Sequence, residues 1–141
     1  MKWKALSGRE FTQSISKYTI DWDAPCRSKI QTRVKQWFEP YWVTHDCYEE
    51  VAMKGIIPKG RLRIDLLNLT IRVAVEVQGE QHYERNEFFH KNDEHGFLRQ
   101  MWNDKNKAEW CDINEIKLIE ISKDHLPLTR EWFLEECGIY L

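Results

Sequence analysis

Two short strand-like stretches, each carrying an acid, constrain this chain more than anything else in it. Arg61 to Leu67 alternates polar and apolar side chains, as a strand with one face in the core does. Asn68-Leu69-Thr70 reads as a tight turn. Arg72 to Val77 is a β-branched, nearly continuous apolar run of the kind found in strands covered on both faces. Within that run Glu76 is the anomaly. Side chains two apart on a strand share a face, so Glu76 and Gln78 point the same way. Antiparallel pairing around the turn sets Asp65 beside Glu76.

Two ionised carboxylates in apolar surroundings repel each other and lose hydration, so alone they take up a proton. A divalent cation removes the conflict. Two hard oxygen ligands suit Mg²⁺, which keeps waters and phosphate oxygens in its remaining positions. Such an ion acidifies a bound water and stabilises charge on a phosphoryl oxygen. The residues therefore point to metal-dependent phosphodiester hydrolysis.

Asp65 followed by Glu76-Val77-Gln78 resembles the signature of the PD-(D/E)XK nuclease superfamily, with Gln78 where that pattern has lysine. The continuation Gly79-Glu80-Gln81-His82, and later Asn103-Asp104 on an expected helix, is similar to very-short-patch repair endonucleases and phage EDxHD homing endonucleases. The similarity runs over about residues 27–122. It implies a restriction-endonuclease-like core and a Mg²⁺-dependent endonuclease (Mn²⁺ substituting) acting on double-stranded DNA. In that reading Asp65 and Glu76 bind the metal, His82 moves protons, Asp104 supports them, Gln78 orients water or phosphate, and Lys107 stands in for the lysine. A single site cuts one strand, so the chain is either a nickase or works as a homodimer on duplex DNA. A phage-infected or microbial cell is the setting that goes with it.

The rest of the chain fits one domain of 141 residues. Residues 1–24 show no periodicity but interleave Lys2, Lys4, Arg9 and Lys17 with Trp3, Phe11, Tyr18 and Trp22, which suits either an arm on a nucleic-acid backbone or one packed on the core. Asp23 or Ser28 caps a helix whose apolar face is Ile30, Val34, Trp37 and Phe38, and Pro40 stops it. Arg27, Lys29, Arg33 and Lys35 lie largely off that face and are available to phosphates. Cys47 to Ala52 reads as a strand, with Glu49 or Glu50 as a possible third site carboxylate. Residues 82–96 read as a long loop whose Phe88-Phe89-His90-Lys91-Asn92 offers stacking groups and donors. His90, Lys91, Arg61 and Arg63 thus join Lys29 and Arg33 as candidate DNA contacts. Phe97 to Trp110 is an expected helix with Phe97, Leu98, Met101, Trp102 and Ala108 as its buried stripe and Asp104 at the margin, where Lys107 is placed to pair with it. Ile116 to Ile121 alternates as a further strand, and Thr129 to Cys137 forms a terminal helix closed by Gly138. The fold class is mixed α/β: a small mixed sheet flanked by helices, in the order αβββαβα.

No apolar stretch approaches the roughly 20 residues of a membrane span, and no secretory signal leads the chain, so a cytoplasmic protein is expected. The four cysteines, none in a CxxC, are expected to be buried, reduced thiols. Cys47, Cys111, His90 and His95 lack zinc-site spacing. Net charge is −2, but residues 1–63 hold 12 Lys/Arg against 7 Asp/Glu, and the remainder 9 against 16. A basic half can face phosphates while the acidic half holds metal. The competing readings are a nucleic-acid-binding module that kept the fold and lost the chemistry, an RNA- or junction-specific nuclease, and a structural protein.

Overall fold

Two apolar cores, one on each face of a single sheet, organise the chain. The computed structural model describes residues 1–78 and 94–141. Strands β1 (Lys2–Lys4) and β2 (Glu10–Thr12) form an antiparallel hairpin. Then come α1 (Lys29–Trp42), β3 (Cys47–Met53), β4 (Leu62–Asn68), β5 (Val73–Gln78), α2 (Glu94–Ile113) and β6 (Lys117–Ser122). The chain ends with α3 (Arg130–Trp132), prolonged by a wider turn over Phe133–Cys137 and closed by Gly138 at φ 68°. The sheet order is β3-β4-β5-β6, antiparallel except for the parallel β5–β6 pair that α2 connects. This is the mixed α/β class expected, in the expected order of elements, with a hairpin added in front.

Strand β5 shows why its sequence is almost wholly apolar. Val73 and Val75 join Val34, Phe38, Trp42, Ile119, Ile121 and Phe133 in one core, while Ala74 joins Trp3, Met53, Leu67 and Trp110 in the other. The first core is roofed by α1 and α3, where Trp37 stacks on Phe133 with centroids 5.1 Å apart. The second is roofed by α2 and the hairpin, where Trp3 meets Trp110 at 5.5 Å. Such aromatic pairs add to simple area burial.

Two expectations are corrected here. Helix α1 is capped by Ser28, whose hydroxyl accepts from Gln31 N, but it runs through Pro40 to Trp42. Proline forfeits one backbone bond there, and in an exposed last turn that loss is tolerated. On α2, Leu98, Met101 and Trp102 are 57, 46 and 48% exposed and Ala108 is exposed too, while Asn106, Trp110 and Cys111 are buried. The helix thus turns a largely polar face inward, for a reason that the site supplies. Of the two alternatives for residues 1–24, packing on the core is the one found: Trp3 is buried, Lys4 N donates to Asn114 Oδ1, and the Gln13 amide bridges Ala52 O and Lys54 N.

The loop after β3 is held against the hairpin by Leu6 N donating to Gly55 O at 2.9 Å. Gly55 has φ +86°, and a Cβ there would meet the Phe11 ring at 2.6 Å and Ala5 Cα at 3.2 Å. Gly55→Ala is therefore expected to lower stability by about 2 kcal/mol, from left-handed strain together with overpacking. Urea unfolding of the two proteins checks this, and an unchanged midpoint contradicts it.

Cys26, Cys47, Cys111 and Cys137 are free, the last three buried. Cys47 and Cys111 lie in opposite cores, so they do not share a metal. Among the described residues no helix is long and apolar enough to cross a membrane.

Candidate active site

The site begins where the sheet comes apart. Strand β4 pairs with β5 only over Leu66–Asn68 against Val73–Val75, although β4 continues back to Leu62 along β3 and β5 continues to Gln78 along β6. One step beyond the last pair, Asp65 stands opposite Glu76. There side chains replace the ladder: Asp65 N donates to Glu76 Oε2 at 2.8 Å, and Val77 N donates to Asp65 Oδ2 at 2.9 Å. Two backbone N–H groups at the parting are thereby satisfied, and the two carboxylates are held side by side.

Beyond this vertex lies a cleft of about 700 Å³ between the diverging strands and α2. Asp65, Glu76, Gln78, Asp104 and Lys107 all line it, together with Arg63, Gln100, Asn103 and Glu120. This explains the polar inward face of α2: Gln100, Asn103, Asp104 and Lys107 recur at helical spacing and face the cleft rather than a core. Lys107, expected to pair with Asp104 or to replace the missing lysine, extends its ammonium to Glu76 Oε1. Asp104 accepts from Gln100 Nε2 at 3.1 Å. Gln78 donates through Nε2 to Glu120 Oε2 at 2.9 Å.

Glu76 is only 9% exposed. Burial pushes its carboxyl up, the Asp65 carboxylate adds to that, and the Lys107 ammonium opposes both; the outcome is about 7. Burial also raises the nearby Cys111 thiol to about 12, with Glu76 contributing, so this cysteine is no nucleophile. Asp65 has Arg63 Nε 4.0 Å from its other oxygen.

Among the described residues no cluster of three or more acids, histidines or cysteines is shaped to hold a metal. The two adjacent hard-oxygen side chains of the cleft are Asp65 and Glu76, and the Glu76 carboxyl is raised first by burial and then by Asp65.

Other expected site residues fall elsewhere. Arg27 and Ser28 line the cleft, whereas Lys29 and Arg33 are exposed outside it and Arg61 lines a separate groove. Lys35, expected on a solvated face, is 3% exposed and donates to Glu49 Oε1 at 2.7 Å and to Ala24 O at 2.8 Å. Glu49 also accepts from Asp21 N, so it is committed to holding residues 21–26 on the core and is no third site acid. Burying an ammonium requires such pairing. Glu50 sits at φ 50°, an interruption of β3 next to Asp65. His82, His90 and Lys91 lie outside the described residues.

Sequence reasoning missed Glu120. Its signal was the parallel pairing of β6 with β5, which sets Glu120 level with Glu76. No protein-family profile matches the chain, and no solved structure does. The chain is similar to three viral proteins. Uncharacterized protein 094L of Frog virus 3 is 36% identical over 84 residues, covering 57% of this chain and 54% of the relative. Uncharacterized protein 033L of Invertebrate iridescent virus 3 is 39% identical over 69 residues, 49% of this chain and 35% of the relative. Uncharacterized protein 307L of Invertebrate iridescent virus 6 is 38% identical over 60 residues, 43% and 30% of the two chains. The matched part thus spans between about a third and a half of these relatives.

Proposed function

We propose that the chain is a metal-dependent endonuclease that hydrolyses phosphodiester bonds in DNA at the cleft between β4 and β5. The observation that carries this reading is the Asp65–Glu76 pair at the head of a polar cleft, Glu76 accepting from Asp65 N and from the Lys107 ammonium and Asp65 accepting from Val77 N. Asp65 and Glu76 would hold Mg²⁺ or Mn²⁺. When bound, the ion supplies charge neutralisation at the phosphoryl oxygen and a more acidic water. Lys107 offsets the charge of Glu76 and is near enough to do the same for an incoming phosphate. Gln78 holds no charge, and through its amide it orients water or phosphate. Arg63 and Arg27, both on the cleft wall, suit the flanking phosphates. Cutting a duplex on both strands would take two copies.

The test is conversion of supercoiled plasmid to nicked or linear form with Mg²⁺ and with EDTA. A gapped or flapped duplex is assayed alongside the plasmid: cation-dependent cutting of either supports the reading, and both intact at all cation concentrations overturns it. One observation favours a second reading, a DNA-binding module without chemistry. Gln78 is tied to Glu120, and the Glu76 oxygens are taken up by Lys107 and Asp65 N. Plasmid retained by the protein but never cut would support that reading.

A further inference from the structure

Helix α2 has a second flank, and it borders another depression. Trp102 and Asn106, four apart, line a groove of about 620 Å³ whose other walls are the β1–β2 turn and the loop between β3 and β4. Gln100, Asn103, Asp104 and Lys107 line the acid cleft on the neighbouring flank of the same helix. On the strand side Arg61 lines the groove and Leu62 and Arg63 line the cleft, so the two depressions share one wall.

The groove has a distinct chemistry. Its charged residues are Arg9, Lys54 and Arg61, with no acid among its described lining residues, and none of the three is in an ion pair among the described residues. Its apolar parts are the half-exposed Trp102 ring, Ile57 and Pro58 over the buried Ile56. The two loops that wall the groove are tied together, Gly55 lying against Phe11 and accepting from Leu6 N. Cations beside an exposed indole match a chain of phosphates carrying bases free to stack. A base in an intact duplex has no free face to offer.

We infer that this groove binds a single-stranded stretch of DNA, one base stacking on Trp102 and the phosphates lying on Arg9, Lys54 and Arg61. The substrate then has a melted, flapped or gapped segment next to the bond presented to the acid cleft. The assignment of that cleft rests on the reading proposed above. Occupancy of the groove does not, and the experiment keeps the two apart.

Binding is measured by anisotropy of a short fluorescein-labelled oligothymidylate, and of a blunt duplex, with EDTA present so that no hydrolysis is needed. Trp102→Ala should weaken oligothymidylate binding roughly tenfold, and Trp102→Phe should restore most of it. The triple Arg9→Ala, Lys54→Ala, Arg61→Ala variant should lower the slope of log affinity against log salt by about 2. Duplex binding should change little in Trp102→Ala. The inference is overturned if Trp102→Ala binds oligothymidylate as the unaltered protein does, if duplex binding falls equally, or if polyglutamate competes as well as DNA. Trp102 is already half exposed, so its removal leaves both cores intact. Absence of cation-dependent cutting of both plasmid and a gapped or flapped duplex removes the nuclease reading and leaves this result standing, and the converse also holds.

Discussion

Asp65→Asn should leave supercoiled plasmid uncut under conditions in which the unaltered protein nicks it, a loss of about a thousandfold or more. Asparagine is the informative replacement. Its side-chain oxygen still accepts the Val77 N–H, so the vertex between β4 and β5 stays closed while the charge that would hold a cation is gone. Glu76→Gln also removes a charge while its amide oxygen still accepts from Asp65 N, though its N–H₂ then faces the Lys107 ammonium, which loses its partner. Both variants should show the circular dichroism spectrum of the unaltered chain, so loss of cutting reports on charge rather than folding. Lys107→Met should cost less, about a hundredfold. It should also move the acid limb of the pH–rate profile upward, since Lys107 is the group holding the Glu76 proton affinity down against burial and Asp65. A lysine that only braces α2 would lower stability and leave that limb in place. Nicking by Asp65→Asn at the unaltered rate would remove the chemical basis of the proposal.

The part of the site read from sequence is the part carried by local rules. Alternation in Arg61 to Leu67 and the apolar run ending at Val77 define two strands, and a short turn between them brings Asp65 level with Glu76 without information from elsewhere in the chain. Helix α2 was misread because pattern analysis assumes that apolar side chains face inward. Here Leu98, Met101 and Trp102 face out, while Asn103, Asp104 and Lys107 face a polar cleft. That inversion is costly for a helix serving only a core, and it follows from the polar cleft that the inner face borders. Lys35 failed for a different reason: its partner Glu49 is on β3, and no local rule shows that an ammonium will be buried against it. Strands β1 and β2, three residues each, are too short for any period to register. Glu120 needed the parallel register of β6 on β5, a fact of tertiary structure.

Stability should fall as pH rises from about 4.5 to 7, and Glu76 should be the cause. Its carboxyl is raised in the folded protein from 4.5 to about 7, mainly by burial and then by Asp65. Below about 4.5 folded and unfolded chains both carry the proton. Between the two values the unfolded chain has lost it and the folded chain has not, so each step up in pH favours unfolding. Above about 7 both states are ionised and the slope disappears. At 1.36 kcal/mol per pH unit, the span corresponds to about 3 kcal/mol. Urea unfolding at a series of pH values, with Glu76→Gln as reference, isolates the contribution: the difference between the two proteins should grow across that window and level off above it. Parallel curves would show that Glu76 ionises in the folded chain as it does in the unfolded one. Mg²⁺ makes the same experiment a test of the site. A cation held by Asp65 and Glu76 favours the ionised carboxylate, so millimolar Mg²⁺ should recover stability at pH 8, do little at pH 5, and do nothing in Glu76→Gln. If the pH window appears but Mg²⁺ leaves it untouched, the Asp65–Glu76 pair holds no cation and the metal-dependent reading is overturned.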